Sequence, residues 1–321
     1  MKINKKFSNF IKTGLCTLAL ASTVVVAEEG GSGHYLPGSM ASFMDGVALE
    51  PTFLMRLNYI NYQASSSVTI PKSSGGLLAN PAATSNVLGL TLFWAPDWNL
   101  GLGDKWQFAM STTIPVLNLD LSGDFTYRGT DFGDMQGDRT ALGDIVLMPL
   151  MLNYNVSKDL NINTRIGIYA PTGSYELGRF INNGKNFWTV EPTIGIMYFG
   201  QENGIEASLF LGADFNWENP DTNYKSGTQI HLDGTLAQHF PFAGGITGVG
   251  VNAYWYKQVT DDSGEGANLG AFRAKALGAG PVLSWIDKKG KYLAELKYLK
   301  DYQNEKRLES DTLWFKFIVN F

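Results

Sequence analysis

Alternate residues from 313 to 321 are large and apolar: Leu313, Phe315, Phe317, Val319 and Phe321. Between them stand Lys316 and Asn320, with the less polar Trp314 and Ile318. A strand sends successive side chains to opposite faces, so this stretch has one apolar face and one mixed face. Two environments accept such a strand: the core of a soluble sandwich, or the lipid face of a membrane barrel. The N-terminus and the rhythm of the intervening segments separate them.

Residues 1–27 carry Lys2, Lys5, Lys6 and Lys12, then an apolar run from Leu15 to Val26, then Ala27 before Glu28 and Glu29. A basic start, an apolar stretch of about a dozen residues and a small residue at its end describe a secretory signal peptide cleaved after Ala27. A transmembrane anchor would need roughly 20 apolar residues. Cys16 is the only cysteine, and Leu15 before it does not make a lipoprotein box. The expected mature chain therefore has neither disulfides nor thiolate metal ligands. Losing four lysines and no acids moves the formal charge from −5 to −9, which excludes nucleic acid as a partner. No later stretch has the length of a membrane helix, since the apolar run 145–152 is interrupted by Pro149.

The sequence predicts an all-β fold, a transmembrane antiparallel up-and-down β-barrel of about twelve strands over residues 53–321. Residues 28–52 are irregular, either a periplasmic lead-in or a plug. The expected strands lie near 53–62, 86–95, 105–114, 144–154, 160–170, 188–198, 205–215, 229–239, 246–256, 274–285, 291–300 and 312–321. In the fifth, Leu160, Ile162, Thr164, Ile166 and Ile168 share a face opposite Asn161, Asn163, Arg165, Gly167 and Tyr169. Short connections near 156–159, 200–203, 240–244 and 287–290 alternate with longer polar ones at 63–85, 115–143, 171–187, 216–228 and 257–273. Short turns at one rim and long loops at the other are the pattern of outer-membrane barrels. Trp94, Trp98, Trp106, Trp188, Tyr198, Trp217, Trp255, Trp285 and Tyr292 fall near strand ends, where interfacial girdles form. Lipid then takes the apolar faces, and the sandwich reading gives way to the barrel.

With lipid outside, the opposite faces place Arg56, Arg165, Glu191, Glu206, Asp214, His231, Asp233, Glu295, Lys297 and Lys316 in the lumen. Such charges either fill the lumen as a paired network or guide a solute through it. Twelve strands about 4.8 Å apart and tilted near 40° give a backbone radius of roughly 12 Å, a lumen suited to one small molecule. Chemical constellations are thin. The histidines are His34, His231 and His239, without cysteine partners, and the last two are eight residues apart on one expected strand; a metal site is not expected. The acidic run 124–144, with Asp131, Asp134 and Asp138, lacks the spacing of a calcium loop and reads as a solvated outer loop. Neither a nucleophile elbow nor a nucleotide fingerprint is present, so no cofactor is expected.

Several stretches, in order along the chain, resemble the phenol MetA-type family of outer-membrane proteins. They are Gly33-His34-Tyr35-Leu36-Pro37-Gly38, Gly143-Asp144-Ile145, Ala170-Pro171-Thr172-Gly173-Ser174-Tyr175, and Asn182-Asn183-Gly184-Lys185-Asn186-Phe187-Trp188. Asp221-Thr222-Asn223-Tyr224-Lys225-Ser226-Gly227, Thr260-Asp261-Asp262-Ser263-Gly264 and Gly280-Pro281 complete the set. Glu50-Pro51-Thr52 departs from the family pattern, where Gly is expected after Pro. The resemblance implies a barrel proposed to move hydrophobic or aromatic compounds across the outer membrane, and it does not imply catalysis by the barrel itself. The matching residues concentrate at long loops, which makes Tyr175, Asn182, Lys185, Asn186, Trp188, Tyr224 and Asp262 candidates for lining an external mouth. The bland alternative is that Asn and Asp there hold backbone turns. The final strand ending in Phe321 resembles the closing strand of bacterial outer-membrane barrels, whose assembly machinery reads such an end. Two other functions remain open from sequence: a lipid hydrolase built on His231, which would need a nucleophile beside a base, and an adhesive barrel acting through its loops.

Overall fold

The computed structural model describes residues 28–47, 50–66, 69–72, 76–98, 101–267 and 273–321. The expected signal peptide lies outside the described residues. Fourteen strands form one antiparallel sheet: β1 Thr52–Ser65, β2 Thr69–Pro71, β3 Gly76–Ala95, β4 Trp106–Tyr127, β5 Thr130–Leu142, β6 Ile145–Asn155 and β7 Leu160–Ala170, followed by β8 Thr189–Phe199, β9 Ile205–Asn216, β10 Gln229–Phe242, β11 Gly245–Gln258, β12 Lys275–Asp287, β13 Tyr292–Glu305 and β14 Glu309–Asn320. Twelve of these close a barrel. β1 pairs with β3 on one side and β14 on the other, β4 pairs with β6, and each strand from β6 onward pairs with the next.

β2 and β5 stand outside that ring and extend it. β2 pairs with the first residues of β3, and β5 with residues 116–127 of β4. The stretches 63–85 and 115–143 are therefore largely sheet rather than the loops the sequence suggested. On β4, Leu117, Leu119, Leu121 and Phe125 alternate with Asn118, Asp120, Ser122 and Asp124, and Leu121 and Phe125 are buried in one cluster with Leu78 and Ile181; the acids Asp120, Asp124, Asp134 and Asp138 nonetheless give the hairpin the composition of a solvated loop.

The alternation has the sense expected of a membrane barrel. On β9, Leu209 and Leu211 are 47% and 45% exposed while Phe210 between them is 0% exposed, so the aliphatic face looks outward. Exposed aromatic residues mark both ends of the wall. Trp94, Trp98, Trp106 and Tyr292 lie at the short-turn rim, Trp188, Trp217 and Trp255 toward the long-loop rim.

Residues 28–47 run inside the barrel and decide what its lumen is. This strap starts among the long loops, where the Glu28 and Glu29 amides donate to Asp262 and Ser226. It ends near the short-turn rim, where Val47 packs with Phe93, Ala95, Ala109 and Met151. It has little regular structure, only one-turn 3-10 segments at Glu29–Gly31 and Phe43–Asp45. Its backbone polar groups are met partly within the strap, where the Ala41 and Ser42 amides donate to the Asp45 carboxylate, and partly by the wall. Gly38 shows how closely it is fitted: its φ is +79°, and a Cβ there would stand 2.5 Å from Leu299 Cδ1.

Candidate functional site: a strapped lumen below an open mouth

The lumenal side chains are placed by strand alternation, and most of them hold the strap. Asp233 on β10 accepts from the Tyr35 hydroxyl at 2.9 Å and from the Gly38 amide at 2.8 Å. His231, two residues earlier on the same face, stacks on the Tyr35 ring with centroids 4.0 Å apart. The Arg307 guanidinium lies 4.2 Å from the Tyr256 ring centroid and donates to the Tyr35 carbonyl at 3.4 Å. Lys297 donates to the Gly38 carbonyl, and the Trp314 indole to the Pro37 carbonyl at 3.0 Å. Buried amide and carbonyl groups without such partners would each cost about 1–3 kcal/mol.

Lower in the barrel Asp45 is the centre of the charge network. Lys316 on β14 reaches both of its carboxylate oxygens at 2.7 Å, and Arg56 on β1 reaches one at 3.2 Å. Lys316 and Lys297 each lie 3.3 Å from Glu295. Arg165 donates to the Asp45 carbonyl at 2.7 Å while lying over the Phe210 ring. Glu206 accepts from the Phe43 amide at 2.8 Å and from His239 at 2.9 Å. Arg56, Arg165, Glu206, His231, Asp233, Lys297 and Lys316 thus contact the strap, and Glu295 supports two of them. Strand alternation alone puts these groups in the lumen, but nothing in the sequence marks their strap partners, Asp45 above all. An irregular segment has no period to betray which of its residues face a wall. Glu191 and Asp214 stand apart, making none of these strap contacts.

At the long-loop rim the predicted mouth residues divide. Tyr224 is buried and donates to Asp262 at 2.6 Å, and Asp262 also accepts from the Gly227 amide, Gln258 and the Glu28 amide. Asn182 exchanges bonds with the Glu176 backbone. Lys185 donates to the Ser32 carbonyl, and Asn186 to Asn219 at 2.8 Å. These residues lock loops to one another and to the strap. Tyr175 is only partly buried beside them. Trp188 points away, 48% exposed next to the inward Thr189.

The mouth itself is a cleft of about 550 Å³ between the strap start and the loops, lined by Glu29, Lys72, Leu77, Tyr127, Leu177 and Tyr224 among others. Its size is that of small-molecule sites; Leu77, Tyr127, Leu177 and Tyr224 give it apolar surface, while Glu29, Lys72, Arg128, Asp221 and Glu265 bring charge to its lining. Burial pushes the Glu29 carboxyl up to about 7, against hydrogen bonds from Thr222 and Asn219 that favour its ionised form. Burial likewise brings the Lys72 ammonium down to about 7, with Lys185 adding to the shift. A second cleft of about 350 Å³, lined by Gln63, Asp120, Glu309 and Asp311, is more polar.

Known proteins agree with this architecture. The channel described as the COG4313 outer membrane channel from Pseudomonas putida F1 superposes with a TM-score of 0.66 at 15% identity, covering 89% of this chain and 100% of its own. The β domain of the Bordetella autotransporter BrkA covers 84% of this chain and 99% of its own at 12% identity, but its TM-score of 0.46 is too low to argue from. No curated protein matches the sequence. The model of the family described as "Putative MetA-pathway of phenol degradation" matches residues 69–317, nearly the whole barrel. The chain is an outer-membrane-type barrel and belongs to that phenol-degradation (MetA-pathway) family.

Proposed function

We propose that this barrel carries small hydrophobic or aromatic molecules inward across the outer membrane, passively and without chemistry. The observation that supports it is the joint arrangement of a mouth cleft with aromatic and aliphatic lining above a lumen filled by a polar-bonded strap. An open aqueous pore would suit hydrophilic solutes. A filled lumen under a partly apolar cleft favours a solute held first by the cleft and admitted as the strap shifts. The family's link to phenol degradation fits a solute of this kind without specifying phenol. Proteoliposomes provide the test: uptake of a neutral aromatic should exceed that of a sugar of similar size, and Leu177→Glu in the cleft should reduce the first alone. Equal uptake of both, or of neither, refutes the proposal.

The hydrolase reading is less well supported. Both ring nitrogens of His231 face carboxylates, Nδ1 toward Asp233 at 3.2 Å and Nε2 toward Glu191 at 3.4 Å, and Tyr35 covers the ring. A base needs a nucleophile beside it and an approach for the substrate. The adhesive reading is tested by trimming the exposed tip 128–134, not residues 115–143, because the latter span the outer part of β4, a wall strand.

A further inference from the structure

We propose that Glu191, Asp214 and His231 form a site for one divalent cation of the Zn²⁺ class, set in the barrel wall beneath the strap. The three residues come from the adjacent strands β8, β9 and β10. The register on either side, Val190 with Phe215 and Thr193 with Gly212, sets Glu191 directly across from Asp214. Gly212 pairs with His231 on the next strand, one inward position from Asp214. Two carboxylates opposed across neighbouring strands repel, and this pair is 1% and 0% exposed. One ligand atom from each of the three side chains lies within 4.8 Å of the other two.

The independent observation is Asp214. It is fully buried, and neither of its carboxylate oxygens has a hydrogen-bond partner. Among the described residues it has no ion pair within 4.0 Å, and the only one to Glu191 comes from His231. A buried carboxylate so placed is costly unless a cation or proton neutralises it. Glu191, Asp214 and Asp233 bring three acids around one imidazole, and a dication offsets most of that charge.

The supporting groups are those of a metal centre. Asp233 holds Nδ1 of His231 at 3.2 Å, which leaves Nε2 turned toward Glu191. Tyr169 and Thr193 donate to Glu191 at 2.6 and 3.1 Å and fix its plane. Gly212 makes room, since a Cβ there would lie 2.3 Å from His231 Nε2. Tetrahedral ligation with bonds of about 2.0–2.2 Å needs donors roughly 3.3 Å apart, a closure of about 1.5 Å at most from the widest separation here. Two carboxylates and an imidazole suit Zn²⁺ or a similar borderline ion; Ca²⁺ takes six to eight oxygens and Mg²⁺ an octahedral oxygen shell. Because Tyr35 stacks on His231, a bound ion would strengthen strap docking by linkage. The sequence hid this site because its ligands are assembled by strand register, and a search for paired histidines looks along one strand.

The full-length protein, refolded in detergent with ZnCl₂ and then dialysed against metal-free buffer, should retain about one equivalent of zinc by elemental analysis. Asp214→Asn should lose it, while Glu202→Gln at an exposed turn should keep it. X-ray absorption on the zinc form should show one imidazole with oxygen neighbours at about 2.0–2.2 Å, a readout that holds even where Asp214→Asn does not fold. Retention below a tenth of an equivalent by wild type overturns the proposal, as does a zinc shell without imidazole or equal retention by folded Asp214→Asn. None of these outcomes depends on which solute the barrel carries.

Discussion

Replacing Asp45 with alanine removes the carboxylate on which the lower strap is anchored. Asp45 is fully buried, and Lys316 beside it is 1% exposed, so solvent does not screen their attraction. Breaking a buried pair from one side costs about 3–5 kcal/mol, and Lys316 keeps Glu295 at 3.3 Å, which points to the low end. These contacts exist only while the strap is docked, so the loss falls on the docked state. About 3 kcal/mol raises the population of the undocked strap roughly a hundredfold. In planar bilayers the variant should show frequent large-conductance openings that are rare in wild type. Lys316→Met alone leaves Asp45 with Arg56 and should open less, and the double variant should fall below the sum of the singles. An Asp45→Ala barrel that inserts normally and opens no more often than wild type refutes the assignment of the strap as the lumenal barrier.

Two further outcomes follow from the two ends of the described chain. Glu29 has its carboxyl raised to about 7 by burial, so its contribution to docking is complete below the ordinary carboxylate value and is lost as pH rises through 7. Hydrogen exchange of amides 28–33, corrected for intrinsic rate, should therefore accelerate relative to amides 38–45 between pH 5 and 8, and Glu29→Gln should reduce that difference, the remainder coming from Glu28 and Asp262, whose carboxyls burial also raises. Phe321→Asp should lower the yield of folded protein in cells yet refold normally in detergent. The ring is 70% exposed beside Phe53, and a charge at an interfacial lipid face costs only about 0–1 kcal/mol, too little to unfold a barrel. Equal loss in both settings would show that Phe321 acts in the fold and not in recognition by the assembly machinery.

The wall was legible wherever one face meets lipid. β7 has the bounds its sequence predicts, because Leu160, Ile162, Ile166 and Ile168 alternate with polar or small partners. Residues 116–127 of β4 and all of β5 were not legible as strands: β4 does alternate there, with Leu121 and Phe125 buried beneath the loops, but Asp120, Asp124, Asp131, Asp134 and Asp138 give the hairpin the composition of a solvated loop. Lys316, Glu295 and Lys297 were placed together from the alternation of two neighbouring strands, and the structure joins them. Asp45 was invisible for the opposite reason: its partners lie 11 and 271 residues away along the chain. At the mouth, Asn182 and Asp262, which the sequence offers as lining candidates, bond instead to the backbone of a loop turn, of Gly227 and of the strap.

Arg56 and Lys316, the two cations gripped by Asp45, stand on β1 and β14, the first and last strands of the ring. Before these strands meet, each is a free edge with unpaired amides and carbonyls, the condition in which sheets recruit the wrong neighbour. One carboxylate, tethered a few residues upstream of β1, spans that join from within. It holds a like-charged pair at the junction and repays their repulsion only when both edges are in place. The strap is thus a clasp on the barrel's own closure as well as a filling for its lumen. A protein that let the strap go to admit a solute would, at the same moment, loosen the one pairing in its wall that the chain itself does not connect.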